Sequence, residues 1–334
     1  EAAEKGYNPE KPGRPSHTYH TYMIANLRLV LDIEVKAGNQ SHSNYSLPGL
    51  MEMLRQLNPA QRPYCVRGDM GWSTDTVMTE LESLHQHYLF KLRKSPNVVK
   101  LIHQHHGRGE WTTLHPGWEA KEATLKLQGW QNARRVIIVR RQLKSDVIIG
   151  LESEYHGHPQ MTLLDGPENI KTFEYSVLIT SLDSDLLALF HLYRDRADCE
   201  NNFDELKNQW GWGGYTIHDV KSCRLMARTI ALIYNWWNLY TRLALPGKHH
   251  EAITSRPLLL SSIGRLTTHS GQKTLTLTSM HNDTPKITQA YTRLMGLFSD
   301  LKIAAPQLKP KEPWCWLMAK IIEAFNLLTP DEGR

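Results

Sequence analysis

The chain has 334 residues, with 39 Lys and Arg against 34 Asp and Glu, which gives a formal net charge of +5. Hydrophobic residues make up 40% and charged residues 22%, which is typical of a globular protein of about two domains and excludes a disordered tail. No apolar run approaches the roughly 18 residues of a membrane helix, and the four cysteines form no CxxC pair. Membrane spans are therefore excluded, a disulfide framework or a zinc ribbon is disfavoured, and a cytoplasmic location is expected.

The first third of the chain predicts an α/β pattern. Closely spaced Pro and Gly predict a loop over residues 1–16, and alternating apolar residues predict a β-hairpin over 17–36. A helix over 47–56 and a short strand at 64–66 precede Arg67, Gly68 and Asp69. Helical spacing then predicts a helix capped by Ser73 or Thr74, and a strand follows over 88–92.

The pattern of apolar, Gly and Pro residues changes from residue 95 onward. Short β-like runs separated by Gly and Pro predict a β-rich insertion over residues 95–172. A strand over 175–180 and a long helix from Ser184 to about Gln209 return to the α/β pattern, and an apolar helix follows over 222–242. Residues 246–334, broken by several prolines, predict a mostly helical C-terminal region.

Although the total charge is close to neutral, basic and acidic residues are concentrated in different segments of the chain. Residues 91–145 contain 12 Lys and Arg against three acidic residues, a net charge of +9, whereas residues 146–200 contain three basic and 11 acidic residues, a net charge of −8. Cations attract the DNA backbone, and a carboxylate cluster is tolerated where metal ions neutralise it. This segregation suits a phosphodiester enzyme, although two solvated faces of opposite charge would give the same pattern.

Four polar residues carry the most specific signal. On one continuous helix, Tyr193, Arg196, Glu200 and Lys207 would form a narrow stripe roughly 21 Å long. A carboxylate between cations and a phenol can bind a metal ion while its neighbours contact phosphates. The alternative is a solvated helix face of ion pairs three and four residues apart.

The same four residues match the spacing Y-x2-R-x3-E-x6-K, and on this motif the chain resembles bacterial cut-and-paste insertion-sequence transposases with a DDE catalytic triad. The resemblance implies an α/β fold with a ribonuclease-H-like mixed sheet and flanking helices. The catalytic domain would comprise residues 17–94 and 173–245, interrupted by the β-rich basic insertion subdomain at 95–172, with the helical region at 246–334 following it.

The resemblance also implies roles for individual residues. Asp69, after a short strand, would be the second catalytic Asp and Glu200 the catalytic Glu, and both would be ligands of two Mg²⁺ ions. Arg196 and Lys207 would contact phosphates, and Tyr193 would donate a hydrogen bond. The implied reaction is DNA strand cleavage and strand transfer on double-stranded transposon ends and target, by a homodimer on DNA, with no membrane partner.

The first catalytic Asp is the open question. The hairpin at 17–36 matches the part of the fold that follows the strand with this Asp, so we expect that strand upstream of Glu1 and the chain to be truncated. Asp32 is the alternative, but a salt-bridged or exposed strand Asp is the favoured interpretation. A chain without a complete triad would be a DNA-binding or dimerising remnant, and a resolvase-like nuclease is a third possibility.

Three tryptophans, Trp111, Trp118 and Trp130, lie within the basic insertion. Aromatic side chains among cations can stack on an unpaired base at a cleaved DNA end. Packing in a protein core is the favoured alternative.

Overall fold

The computed structural model describes residues 3–6, 12–40, 42–107, 109–143, 173–195, 197–215, 217, 219–247, 249–260, 263–278 and 284–304, with 316 and 319. The chain divides into two compact units. Unit 1 comprises Glu1–Ala3, Thr21–Val35 and Asp198–Arg334, and unit 2 comprises Glu4–His20 and Lys36–Ala197. Within the described ranges, no helix combines the length and the apolar character needed to span a bilayer.

Eleven strands and eight α-helices are found in the described residues. The strands are β1 (Glu4–Lys5), β2 (Pro15–Ile24), β3 (Leu29–Ala37), β4 (Val66–Gly68), β5 (Tyr88–Lys91), β6 (Thr112–His115), β7 (Trp118–Leu125), β8 (Arg134–Gln142), β9 (Phe173–Thr180), β10 (Ile263–His269) and β11 (Gln272–Thr278). The helices are α1 (His42–Gln56), α2 (Asp75–Ser83), α3 (Pro96–His106), α4 (Leu186–Arg194), α5 (Ala197–Gln209), α6 (Val220–Ala244), α7 (Ala252–Leu260) and α8 (Thr284–Ala304).

Unit 2 is built on a six-stranded mixed sheet with the order β4-β5-β9-β8-β7-β6. The β4–β5 pair is parallel, and every other neighbouring pair in this sheet is antiparallel. Strand β8 shows why the sheet is covered on both faces: Val136 and Ile138 pack into a core with α1, α2 and α3, whereas Ile137 and Val139 pack on the opposite face with α4. A continuous apolar run is the sequence pattern of such a doubly buried strand.

The residues of the predicted insertion contribute directly to this sheet. Strands β6, β7 and β8 extend the β5–β9 pair, and helix α3, which the sequence pattern did not predict, packs on the same face as α1 and α2. The predicted strand at 147–151 lies outside the described residues. The mixed α/β architecture agrees with the sequence analysis, and the predicted domain boundaries remain a prediction.

A second sheet contains β1, β2 and β3 in that order, which agrees with the hairpin predicted at 17–36. In unit 1, helix α6 covers the backbone edge of β3 with polar side chains. Asn235 accepts from the N–H of Val30 at 2.8 Å and donates to its carbonyl at 2.7 Å, and Asn238 donates to the carbonyl of Arg28. These bonds satisfy backbone groups that an edge strand would otherwise leave unpaired.

Asp32 belongs to this contact. Its carboxylate lies 2.9 Å from the guanidinium of Arg228 on α6, and Glu34 lies 3.6 Å from both Arg224 and Arg228. Asp32 is thus a salt-bridged strand residue, as the sequence analysis favoured.

An ion cluster joins α2 to β8 in unit 2. The Arg134 side chain, only 3% exposed, contacts Asp75 at 2.6 Å and Glu82 at 2.7 Å and donates to the hydroxyl of Thr79. Tyr88 donates to the same Glu82 carboxylate at 2.7 Å. Burial raises the pKa of Glu82, but hydrogen bonds from Arg134 and Tyr88 outweigh it, so the net pKa lies below its ordinary value.

Replacing Arg134 with Leu leaves two carboxylates without their cation in a partly buried site. We expect the free energy of unfolding, measured in urea, to fall by about 3 kcal/mol. Because the pKa of Glu82 is lowered in the folded state, its stabilisation is present above pH ~4.3 and is lost as the pH falls. Arg134→Leu should therefore also weaken the acid dependence of stability.

The matched control is Arg55→Leu. Arg55 pairs with Glu80 of the same helix α2 at 3.4 Å, but its side chain is 54% exposed. An exposed pair of this kind contributes less than about 1 kcal/mol. Equal losses in the two variants would contradict the structural role assigned to Arg134.

Candidate active site

Asp69 directly follows strand β4, and its side chain is exposed. One carboxylate oxygen, Oδ1, accepts a hydrogen bond from the N–H of Gly71 at 2.9 Å, and the Asp69 carbonyl accepts from the N–H of Trp72 at 3.1 Å. The turn thereby fixes the orientation of the carboxylate. Thr74 then caps helix α2 by accepting from the N–H of Val77, as predicted.

Gly68 allows this turn to pack tightly. A Cβ at this position would lie 2.7–2.9 Å from the Cγ, Cδ1 and Cβ atoms of Trp72, which is closer than real contacts permit. Trp72 in turn packs against the core of unit 2. The Trp72 side chain therefore packs against Gly68 at the end of β4.

Arg67 connects the same strand to helix α4. Its Nη1 donates to the carbonyl of Leu192 at 2.5 Å, and the Tyr64 hydroxyl lies 3.3 Å from the hydroxyl of Ser184, which precedes the N-cap of that helix. Leu192 immediately precedes Tyr193, which packs against the core beneath α4. Two predicted site residues, Asp69 and Tyr193, are thus on elements that contact each other within unit 2.

The prediction of a single helix from Ser184 to Gln209 is wrong. Helix α4 begins after its cap Asp185 and ends at Arg194, and α5 begins at Ala197. At the break, the N–H of Asp195 bonds to the carbonyls of both His191 and Tyr193, which closes the last turn of α4. Asp has low helix propensity because its side chain competes for backbone hydrogen bonds. Tyr193 on α4 therefore does not share one continuous helix with Glu200 and Lys207 on α5.

Two members of the stripe do share a helix. Glu200 lies in the first turn of α5 and Lys207 in its last turn, and both side chains are exposed. Seven residues correspond to about 20° around a helix axis, so the two side chains lie on the same face. A carboxylate in the first turn is also favoured by the helix dipole. Arg196 lies outside the described residues.

Glu205 anchors α5 from its opposite face. This carboxylate is almost fully buried, and it accepts from the backbone N–H of Ala252 at 3.0 Å and the indole N–H of Trp210 at 3.4 Å, with the His249 Nε2 at 3.1 Å. Ala252 is the first residue of α7, so its N–H has no acceptor within that helix. Glu205 supplies both the acceptor and a negative charge at the α7 N-terminus.

Gln209 and Arg256 extend this anchor. Gln209 accepts from the N–H of Ile253 at 2.8 Å and donates to Glu251 at 2.7 Å. Arg256 donates to the Gln209 carbonyl at 3.0 Å, and its guanidinium carbon lies 3.9 Å from the centre of the Trp210 ring. The end of α5 is therefore fixed to the start of α7, which also fixes the helix that presents Glu200 and Lys207.

The electrostatics of the anchor favour an ionised Glu205. Burial raises its pKa, but hydrogen bonds from His249 and the Ala252 N–H, together with the nearby imidazole, lower the net pKa below its ordinary value. The carboxylate is therefore charged near neutral pH and complements the N-terminus of α7.

The predicted metal ligands fit a hard divalent cation in donor chemistry, because Asp69 and Glu200 are exposed carboxylates and Mg²⁺ prefers oxygen ligands. Asp69 belongs to unit 2 and Glu200 to unit 1. Over the described part of the chain, no three His, Cys, Asp or Glu side chains form a cluster that could hold a metal ion.

The described cysteines do not offer a nucleophile. Burial raises the pKa of the Cys65 thiol to about 12, and burial also raises the pKa of Cys223. A thiol must lose its proton to act as a strong nucleophile. Neither cysteine is therefore equipped for covalent catalysis.

The tryptophans of the basic segment pack within unit 2, as favoured. Trp111 and Trp130 pack against one core and Trp118 against the other. The guanidinium carbon of Arg140 lies 4.0 Å from the centre of the Trp111 ring, and that guanidinium also pairs with Glu119 at 2.6 Å. Base stacking by these indoles is not supported.

The sequence analysis missed Arg67 and the anchor formed by Glu205, Gln209, His249 and Arg256. Glu205 and Gln209 are four residues apart, so they lie on one face of the predicted helix, and this spacing could have indicated that the two side chains act together. Their partners lie more than 40 residues away in sequence, and no local pattern indicates such a contact.

A family model described as a transposase DDE domain matches residues 1–236. A comparison with curated proteins gave no match.

The anchor predicts that Glu205→Gln is destabilising. Gln keeps the size of the side chain, but it places an NH₂ group and no charge at the start of α7. We expect the free energy of unfolding to fall by about 1–3 kcal/mol at neutral pH and hydrogen exchange to increase in α5 and α7. Because the pKa of Glu205 is lowered on folding, the difference should shrink as the pH falls below ~4.3.

Asp204→Asn is the control. Asp204 is the neighbouring residue of α5, is exposed and accepts from Asn208 of the same helix at 2.7 Å. We expect a change within about 0.5 kcal/mol. If Glu205→Gln left stability and exchange as unchanged as this control, the anchor would not hold α5.

Proposed function

The chain belongs to the family of transposases with a DDE domain, and we propose that Asp69 and Glu200 are two of its catalytic carboxylates. The family match confirms the resemblance inferred from the Y-x2-R-x3-E-x6-K motif. The family acts on DNA in transposition, through metal-dependent strand cleavage and transfer. The assignment of individual residues, of Mg²⁺ and of a homodimer on DNA is our proposal.

The observation that carries the proposal is the position of Asp69. It follows the parallel strand β4 of the mixed sheet, and the carboxyl ends of parallel strands are where such sheets present functional groups. Its carboxylate is exposed and oriented by the Gly71 N–H. The neighbouring Arg67 bonds to α4 next to Tyr193. An exposed, oriented carboxylate beside a signature residue supports a catalytic role.

Glu200 is the second ligand that we propose. It lies in the first turn of a helix whose far end is fixed by Glu205 and Gln209, so the carboxylate is presented on a rigid element. Lys207, exposed on the same face of α5, would contact a phosphate of the DNA backbone. Tyr193 and Arg196 would contact other phosphates near the scissile bond.

Divalent ions bound by the two carboxylates would neutralise the charge that develops at the scissile phosphate. The residues of the chain itself orient the DNA: cations attract the backbone, and the phenol of Tyr193 can donate a hydrogen bond to a phosphate oxygen. We propose transposon ends and target duplex as substrates. A divalent-ion reaction with water or a DNA 3′-hydroxyl needs no protein nucleophile, which agrees with the raised pKa of Cys65.

Nicking of DNA tests the proposal. A plasmid carrying the DNA that flanks the coding sequence would be incubated with the protein and Mg²⁺, and nicked product would be measured by gel electrophoresis. We expect Asp69→Asn and Glu200→Gln each to reduce nicking by about 100-fold or more, since even the partners of metal ligands typically contribute 10–100-fold.

Asp204→Asn, an exposed carboxylate on the same helix as Glu200, should nick like the unaltered protein. Normal nicking by Asp69→Asn or Glu200→Gln would contradict the assignment. DNA binding by the unaltered protein with no nicking would instead support the alternative of a DNA-binding remnant with an incomplete triad.

A further inference from the structure

The C-terminal region contains a two-stranded ribbon, and none of the proposed catalytic residues lies in it. Strands β10 and β11 pair in antiparallel register over seven residue pairs, from Ile263 with Thr278 to His269 with Gln272. Ser270 (φ 49°) and Gly271 (φ 79°) form the two-residue turn with positive φ that matches the twist of a hairpin. At about 3.4 Å per residue the ribbon is roughly 20 Å long.

The ribbon is exposed on both faces. Every side chain that the structure describes between 264 and 276 is exposed, including Leu266 at 63%. Among the described strands, β10 and β11 pair only with each other. An isolated two-stranded ribbon is marginally stable in water, so a bound partner would stabilise this one.

One face of the ribbon consists almost entirely of polar side chains. Because side chains alternate between faces and the register pairs residue 265 with 276 and 267 with 274, one set of residues shares a face. That set is Arg265, Thr267, His269, Gln272, Thr274 and Thr276. Arg, Gln and Thr are the side chains that hydrogen-bond base edges or contact the thymine methyl group in the DNA major groove.

The charge of the segment is complementary to a polyanion. Residues 252–282 contain Arg256, Arg265 and Lys273 and no Asp or Glu. Arg265 and Lys273 are both exposed on the ribbon, and neither forms a salt bridge with a residue that the structure describes. Thr268 pairs with Lys273, so this lysine lies on the opposite face from Arg265, near the turn, where it can contact a phosphate beside the groove.

We infer that the β10–β11 ribbon, residues 263–278, is a DNA-binding arm that enters the major groove of duplex DNA. The major groove, about 12 Å wide, admits a two-stranded ribbon, and 20 Å spans about six base pairs. The face with Arg265 and Thr267 contacts base edges, and Lys273 contacts the backbone. This inference rests on the proposed function, because it takes DNA as the substrate of the chain.

The test is the salt dependence of DNA binding. Fluorescence anisotropy of a labelled 30-base-pair duplex of mixed sequence would be measured with the unaltered chain and with the double variant Arg265→Ala/Lys273→Ala. Each phosphate contact contributes about 0.9 to the slope of log K against log salt concentration. We expect the double variant to bind at least about 10-fold more weakly at low salt and to lose about 1 to 2 units of slope.

Lys221→Ala/Lys302→Ala is the charge-matched control, since both lysines are exposed in unit 1 and lie outside the ribbon. It should bind DNA like the unaltered chain. Hydrogen exchange gives a second measurement: amides of residues 264–278 should become protected when the duplex is added.

Several results would overturn the inference. In the anisotropy experiment, these are an affinity and a salt-dependence slope that are unchanged in the ribbon variant, an equal loss of affinity in the control, or no binding of the duplex by the unaltered chain. In the hydrogen-exchange experiment, the contradicting result is that the ribbon amides gain no protection when DNA is added. Protection that rises with protein concentration without DNA would show that a second copy of the chain pairs with the ribbon instead. Duplex binding by the ribbon variant and nicking by the unaltered chain are separate measurements, so this inference and the proposed function can fail separately.

Discussion

The proposed chemistry depends on how the end of strand β4 is held. Arg67 bonds to the carbonyl of Leu192 on α4, Gly68 leaves room for the Trp72 indole, and the Gly71 N–H orients the carboxylate of Asp69. Each contact acts on a three-residue strand at the edge of a six-stranded sheet, where pairing on one side alone constrains the chain weakly. The side-chain contacts therefore supply the rigidity that Asp69 would need as the proposed metal ligand.

Much of the architecture could be predicted from local patterns. The apolar run of β8, the alternating hairpin at 17–36, and the cap of α2 at Thr74 follow from side-chain periodicity and backbone chemistry, which act over a few residues. The break between α4 and α5 could not be predicted in this way. Residues 193, 200 and 207 keep helical spacing across it, so periodicity does not reveal that the helix stops at Arg194.

Long-range contacts also change how the charge pattern of the sequence is interpreted. The basic segment 91–145 suggested a DNA-binding surface, but Arg134, Arg135, Arg140 and Arg141 each pair with a carboxylate within unit 2. The arginines thus stabilise the sheet, and their charge is largely neutralised locally. Conversely, the β10–β11 ribbon has only two cations, yet they are exposed on a segment without acidic residues. The pairing of charges, which the sequence does not show, therefore distinguishes these four arginines from the exposed cations of the ribbon.

Iron-directed cleavage of the protein tests most directly whether Asp69 and Glu200 bind a shared ion. Fe²⁺ bound in place of Mg²⁺, with ascorbate and peroxide, generates radicals that cut the nearby backbone, and mass spectrometry locates the cuts. A shared ion predicts cuts close to both residues 69 and 200, suppressed by excess Mg²⁺ and lost at both places in Asp69→Asn. Cuts near residue 200 that persist in Asp69→Asn, or cuts at neither place, would contradict it.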